Sequence, residues 1–221
     1  MKKLIFSFFL AFLLSFTSRF CVCQWEQCDS IYDGNVYSFA INGSDIFAGC
    51  YGVFISTNNG QTWMQTALNN KYIYSLAISG NNVLAGTHNY GVYLSTNNGQ
   101  TWMQTALNNQ TVNSLAISGN NIFAGTIMNG VWFSSNNGQA WTQTALNNKS
   151  VYSLAVSGNN IFAGTFNTGI WLSSNNGQAW TQTALNDKSV YSLTISSDNI
   201  FAGTSFTGIW LSTNNGQSWT Q

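Results

Sequence analysis

Residues able to carry proton transfer or covalent chemistry are few and scattered in this chain of 221 residues. Past the first two dozen positions the acids are Glu26, Asp29, Asp33, Asp45, Asp187 and Asp198, the histidine is His88, the cysteines are Cys28 and Cys50, and arginine is absent. Hydrolysis by paired carboxylates needs two acids held roughly 5–10 Å apart across a substrate. Asp187 and Asp198 share one repeat, but they fall in turns at opposite ends of a predicted strand. His88 could serve a nucleophilic triad only beside a hydroxyl and an acid that orients its ring, and nothing in the sequence places that acid, so it reads as a loop residue. There is no HExxH, no phosphate-cradling glycine loop, no EF-hand spacing and no CxxC or Cys/His pattern. Neither a metal nor a cofactor is expected, and the chain reads as non-enzymatic.

Charge removes two further classes of partner. Residues 24–221 hold Lys71, Lys149 and Lys188 against the six acids, a formal net charge of −3. That balance leaves no electrostatic footprint for nucleic acid and no basic face for anionic lipid. Ahead of it, Lys2 and Lys3 precede an apolar run from Leu4 to Phe16 that is too short to span a bilayer. Residues 1–23 therefore read as an export signal cut after Cys23, an uncleaved anchor being the alternative. This predicts a secreted or extracytoplasmic protein, in a periplasm, on an outer surface or in the medium, with no membrane insertion once the signal is removed. In such an oxidising compartment Cys28 and Cys50 could form one disulfide or remain two thiols, since spacing alone does not bring two Cα atoms together.

The elements that must position any site come from an internal repeat. The box STNNGQTW at Ser56–Trp63 returns at Ser95, Ser134, Ser173 and Ser212, every 39 residues. Between boxes a second phrase recurs, VYSLAVSGNNIFAGT at Val151–Thr165, with near copies beginning at Val36, Ile73, Val112 and Val190. In the fourth copy the turn signals SGNN, FNT and SNNG divide the unit into four predicted strands, Val151–Ser157, Asn160–Thr165, Gly169–Ser173 and Gln178–Ala184. Asn176-Gly177 supplies residues that tolerate positive φ at the tightest turn. Short loops force a meander, and near-continuous apolar runs in the first three strands call for cover on both sheet faces. Neighbouring copies are the available cover, so the units must stack.

A period near 40 with four strands per unit predicts an all-β fold, a β-propeller of five four-stranded antiparallel blades over residues 36–221, with a β-solenoid as the structural alternative. Residues 24–35 read as an N-terminal strand and linker. Gln24-Trp25-Glu26-Gln27 echoes the fourth-strand text and could pair onto the last blade to shut the ring. The fifth copy already begins a fourth strand at Gln217-Ser218-Trp219. A leftover strand at each end also suits an open arc, a fragment of a six- or seven-bladed propeller, or a homo-oligomer assembled in trans.

The box SxNxGxTW resembles the Asp-box, or BNR, repeat SxDxGxTW of sialidase-like, sortilin-like and photosystem-II assembly-factor propellers. The likeness runs through all five repeats, with Asn at the place of the box Asp. It implies structural roles, away from the central channel, for Ser56, Asn58, Gly60 and Trp63; Ser95, Asn97, Gly99 and Trp102; Ser134, Asn136, Gly138 and Trp141; Ser173, Asn175, Gly177 and Trp180; and Ser212, Asn214, Gly216 and Trp219. It also invites a sialidase reading, which the residues disfavour. Three arginines clamp the substrate carboxylate in those enzymes, and residues 24–221 contain none.

Where near-identical copies differ, selection on the scaffold is relaxed or recognition is built. The differences gather in the loop between the second and third strands, where Tyr51, His88 and Tyr90, Met128, Phe166 and Phe206 occur, and in the connection to the next blade. An antiparallel blade brings these two segments to the same end. The expected function is a protein- or carbohydrate-binding module with its candidate ligand-binding rim there, the alternative being a structural or assembly-helper propeller without a small ligand.

Overall fold

The computed structural model describes residue 31 and residues 34–221. Blade one contains β1 (Ser38–Asn42), β2 (Asp45–Cys50), β3 (Gly52–Ser56) and β4 (Met64–Gln65); blade two contains β5 (Ile73–Ser79), β6 (Asn82–Thr87), β7 (Val92–Ser95) and β8 (Met103–Gln104). Blade three contains β9 (Val112–Ser118), β10 (Asn121–Thr126), β11 (Gly130–Ser134) and β12 (Thr142–Gln143). Blade four contains β13 (Val151–Ser157), β14 (Asn160–Thr165), β15 (Ile170–Ser173) and β16 (Thr181–Gln182), and blade five contains β17 (Val190–Ser196), β18 (Asn199–Thr204) and β19 (Gly208–Ser212). Each blade is an antiparallel meander in chain order, and no helix occurs among the described residues. This is the all-β, blade-by-blade architecture that the repeat predicts.

The second strand of each blade shows why the copies need one another. In β14 the run Ile161, Phe162, Ala163, Gly164 is buried on both faces, which an apolar strand achieves only between two covering layers. The cores accordingly lie between blades rather than within them. Phe123, Val131 and Leu146 of blade three meet Val151, Leu154, Ile161 and Ala163 of blade four in one cluster. Equivalent clusters join blades one and two, two and three, and four and five. The inner strands β1, β5, β9, β13 and β17 pack successively on one another.

One expectation needs correction. The fourth strands are two residues long, not the seven of Gln178–Ala184. The box draws Gln178–Trp180 into the turn, and the N–H of Ala184 leaves the ladder for the Gly216 carbonyl of the next blade, at 3.3 Å. In blade five the fourth strand is reduced to the bridge between Leu211 and Thr220. Closure of the ring stood open in the sequence: among the described residues no core cluster joins blades five and one, and β1 turns Phe39 and Ile41 to solvent, 60% and 68% exposed. The pairing of Gln24–Gln27, the export signal and Cys28 lie outside the described residues. Cys50 is fully buried at the end of β2, and burial pushes its thiol up from the ordinary range against a weaker opposing hydrogen bond at Tyr51.

Candidate functional site

One end of each blade is occupied by the box, and its polar atoms are spent on its own turn. Ser173 Oγ accepts the Gly177 N–H at 2.9 Å and donates to Asn175 Oδ1 at 3.0 Å. Asn175 Oδ1 accepts the Ala179 N–H at 2.9 Å. The same serine and asparagine bonds recur around Ser56, Ser95, Ser134 and Ser212. Asn176 and Gly177, with φ of 56° and 82°, occupy the left-handed region that makes the turn close. Where the sixth box residue after the serine carries a hydroxyl, the asparagine Nδ2 adds a bond to it, to Thr62, Thr101 and Ser218. The indole N–H of Trp63, Trp102, Trp141 and Trp219 donates to the carbonyl of the box glycine at 3.0–3.2 Å, whereas that of Trp180 reaches Thr144 Oγ1 of the preceding blade. Between each box of blades two to five and the fourth strand of the blade before it runs an open groove. The largest, about 510 Å³, lies between Met64–Ala67 and Asn98–Gln100.

The opposite end carries the divergent loops, and hydrogen bonds knit them into one surface. The loop after β6 lies between the connections that enter and leave blade two. The His88 N–H donates to the Tyr72 carbonyl at 3.0 Å and the Gly91 N–H to the Gln110 carbonyl at 2.8 Å. Asn89 Oδ1 accepts from Thr111 Oγ1 at 2.8 Å, and Asn167 Oδ1 from Ser189 Oγ at 2.7 Å. These bonds hold the loop backbone while leaving its large side chains outward. Tyr51, Tyr90 and Phe166 are about half exposed at 46–48%, Met128 is 73% exposed and Phe206 is fully exposed. His88 is half-buried. Tyr51 meets Tyr72 edge to face with ring centres 4.9 Å apart, and Lys71 Nζ stands 4.4 Å from the centre of the Tyr90 ring.

A second set of aromatics, absent from the sequence reading, joins this rim. The inner strands carry a β-bulge at their start, between Ile73 and Ser75, Val151 and Ser153, and Val190 and Ser192. A bulge re-aims the extra residue, here Tyr74, Tyr152 and Tyr191. Tyr37 and Tyr74 lie 5.1 Å apart, Tyr74 and His88 5.6 Å, Tyr152 and Tyr191 4.9 Å, and Tyr152 and Phe166 6.2 Å. Blade three has Asn113 at this place, donating to the Val151 carbonyl, which separates the row into two aromatic clusters. Burial, followed by the neighbouring Tyr37 and Tyr72, raises the Tyr74 hydroxyl above its ordinary value. The signal was the tyrosine in the recurring phrase VYS, which an alternating pattern assigns to a strand face and not to a mouth.

The backbone of the rim is itself unusual. Asn89, Met128, Asn167 and Phe206 occupy one equivalent loop position, and all four have φ between 58° and 67°. Asparagine enters the left-handed region readily, whereas an unbranched or aromatic L-residue does so at a cost. Of the described acids, Asp45 accepts from Asn98 Nδ2 at the box end, and Asp187, in the connection that borders the rim, pairs with Lys188 at 3.1 Å. No group of three His, Cys, Asp or Glu side chains gathers among the described residues. What the rim offers is aromatic faces, amides, hydroxyls and lysines, groups that recognise by stacking and hydrogen bonding.

No family model matches the chain, and no curated protein matches it by sequence. Solved structures do. The chain is similar to an ancestral GH74 enzyme, with a TM-score of 0.73 and 22% identity over 85% of this chain and 31% of that one. It is similar to the extracellular domain of BT4673 from B. thetaiotaomicron, with a TM-score of 0.70 and 23% identity over 84% of this chain and 28% of that one. It is also similar to YCF48 bound to D1 peptide, with a TM-score of 0.68 and 15% identity over 90% of this chain and 69% of that one. The chain thus spans less than a third of the first two proteins. These neighbours are β-propeller proteins, and at such identities the likeness is one of fold.

Proposed function

We propose that this chain is an exported, non-enzymatic binding module of the Asp-box type that presents the rim of β2–β3, β6–β7, β10–β11, β14–β15 and β18–β19 loops to a protein partner. The observation that carries the reading is the placement of Met128 and Phe206. Both hold a backbone conformation suited to asparagine, with φ of 67° and 64°, and both expose their side chains, 73% and fully. A strained backbone that returns no packing to its own fold points to a role outside it. Exposed aromatics and methionine suit contact with another macromolecule. Protein is favoured over glycan because Met128, Phe166 and Phe206 offer apolar bulk, and one structural neighbour has been solved bound to a peptide. The absence of arginine from residues 24–221 supports a non-catalytic role against the sialidase alternative.

The test is capture of partners from a cell-envelope fraction, run beside a glycan array, with the full chain and with a Met128→Asn/Phe206→Asn variant that keeps the loop backbone. The variant is expected to lose at least tenfold in affinity for the captured protein. Equal affinity for the two chains would end the proposal, and array binding with no protein capture would replace protein by glycan.

A further inference from the structure

Charge is sorted between the two ends of the blades. Among the described residues the cations are Lys71, Lys149 and Lys188, and all three stand at one place of the repeat, in the connection that leaves a fourth strand and borders the rim. Asp45 and Asp198 lie at the opposite end, at the β1–β2 and β17–β18 turns. Asp187 is the one described acid beside the rim, and its contact with Lys188 is the one ion pair among the described residues. Lys71 and Lys149 are thus the rim's two cations with no described carboxylate against them.

The scaffold holds these ammonium groups in place. The Lys71 carbonyl accepts the Gly52 N–H at 2.8 Å, that of Lys149 the Gly130 N–H at 2.9 Å, and that of Lys188 the Gly169 N–H at 2.8 Å, so each lysine is anchored on the rim loop of its own blade. Side chains at this place then cross to the next blade. Lys71 Nζ stands 4.4 Å from the centre of the Tyr90 ring and Lys149 Nζ 5.7 Å from that of Trp171. Gln110, the equivalent residue of blade two, crosses likewise, its Oε1 accepting from Asn129 Nδ2 at 2.7 Å. An ammonium over an aromatic face is attracted by the ring and still has hydrogens to give to an acceptor. Lys71 spends one of its three on Asn70 Oδ1 at 3.0 Å. Both stems are half-buried, so much of the ordering that a bound carboxylate would otherwise impose is already in place.

We infer that the segment the rim receives is an acidic peptide, with carboxylates set against Lys71 and Lys149 and apolar side chains against the loop residues between them. In blade order the rim presents Lys71, Tyr90, Gln110, Met128, Lys149 and Phe166, so two cations are separated by an uncharged stretch. A basic segment would be repelled by both ammonium groups, and a neutral one would strip them of water without offering a carboxylate. An acidic segment turns the same two groups into attraction and into a fixed register. Two lysines without an arginine remain far short of the basic footprint that a phosphate backbone requires. This deepens the protein-binding reading of the rim, on which it rests, by fixing the sign of the partner's charge.

A random peptide library displayed on phage, panned on the full chain, tests it. Recovered peptides are expected to be rich in Asp and Glu beside aromatic or aliphatic residues, and a synthetic copy of one should bind more weakly as salt rises. Lys71→Gln/Lys149→Gln should cost that peptide roughly tenfold in affinity, and Gln110→Lys should tighten it several-fold. Blade two shows that the fold accepts glutamine at this place, so thermal melts of the double variant should match those of the wild type. Peptides without an excess of acids, or acidic peptides indifferent to the two lysines, overturn the inference. Where such peptides still lose affinity to Met128→Asn/Phe206→Asn, the protein-binding rim stands without its acidic partner; where they ignore that variant as well, the rim falls with it. A library that yields no binder also overturns the inference, and anionic glycans retained on an array would then take the peptide's place.

Discussion

Replacing Met128 by asparagine should stabilise the protein. At φ 67° an ordinary L-residue loses roughly 1–2 kcal/mol in the left-handed region, and asparagine recovers a good part of this, about 0.5–1 kcal/mol. A second gain is specific to this loop. The Met128 N–H already donates to Ser150 Oγ at 3.1 Å, in the geometry by which Asn89 and Asn167 engage Thr111 and Ser189. An asparagine at 128 would take the Ser150 hydroxyl proton on its Oδ1 as those two do, adding a net of about 0.5–1.5 kcal/mol. With the side chain 73% exposed, little burial is given up. The sum is roughly 1–2.5 kcal/mol, which for a domain of this size raises Tm by about 2–10 °C. Phe206→Asn should gain only the backbone part, about 0.5–1 kcal/mol, because among the described residues no hydroxyl meets its loop as Ser150 meets Met128. The converse change, Asn89→Met, should lose what Met128→Asn gains. Differential scanning calorimetry on the full chain measures all three, and hydrogen exchange at residues 127–131 localises the effect. A Tm that falls or stays level in Met128→Asn would refute the strain argument, and with it the observation on which the binding rim rests.

Two other outcomes follow from the geometry. Ser173→Ala leaves the Gly177 N–H without its acceptor inside a buried turn, and should cost about 1–3 kcal/mol; Asn175→Asp keeps the acceptor oxygen and should change stability by less than about 0.5 kcal/mol, so paired thermal melts in which the aspartate variant suffers as much as the alanine variant would discard this account of the box. Because burial and the neighbouring Tyr37 and Tyr72 raise the Tyr74 hydroxyl above its usual value of 10.0, the folded chain holds that proton longer than the unfolded chain does. Stability from this group is complete below the unfolded pKa and is lost as pH climbs through the folded one; urea melts from pH 9 upward on wild type and Tyr74→Phe should differ in this sense, the wild type declining more steeply.

Much of the scaffold was legible because its turns are spelled in residue types with few conformational alternatives. SGNN and NNG fall at the strand junctions, and the boundaries of β13 and β14 match those read from the fourth repeat to the residue. The fourth strand was overdrawn because QAWTQTA alternates like a strand while Asn175 takes the Gln178 N–H on its main-chain carbonyl and the Ala179 N–H on its Oδ1. Local text cannot say which use of Gln178–Trp180 prevails. The bulge that lifts Tyr74, Tyr152 and Tyr191 was hidden for a related reason: VYSLAVS keeps a period of two, and a one-residue offset against the partner strand leaves no trace in one strand alone. Whether the ring closes was illegible in a different way. Phe39 and Ile41 belong to the same pattern as Leu76 and Ile78, so the repeat alone does not tell a covered position from an exposed one.

The distribution of change among the copies follows from who holds each residue. A box serine is fixed by three groups of its own turn, so altering it disturbs that turn, and a second-strand glycine is fixed by the methyl of the next blade, so altering it disturbs two blades at once. The rim loops are held instead by main-chain groups, such as the Gly91 N–H on the Gln110 carbonyl and the Gly130 N–H on the Lys149 carbonyl. The large rim side chains of Tyr90, Met128, Phe166 and Phe206 carry no part of that support, so residues can be exchanged there without loss of the fold. Asparagine at the left-handed position is what stability alone would choose, and two copies have it. Met128 and Phe206 depart from that choice outward, into solvent, on the surface where the bulged tyrosines also emerge. Neutral drift within a tolerant loop accounts for variety, but it does not favour residues that strain the backbone and shelter nothing, and that excess is what a partner would have to supply a reason for.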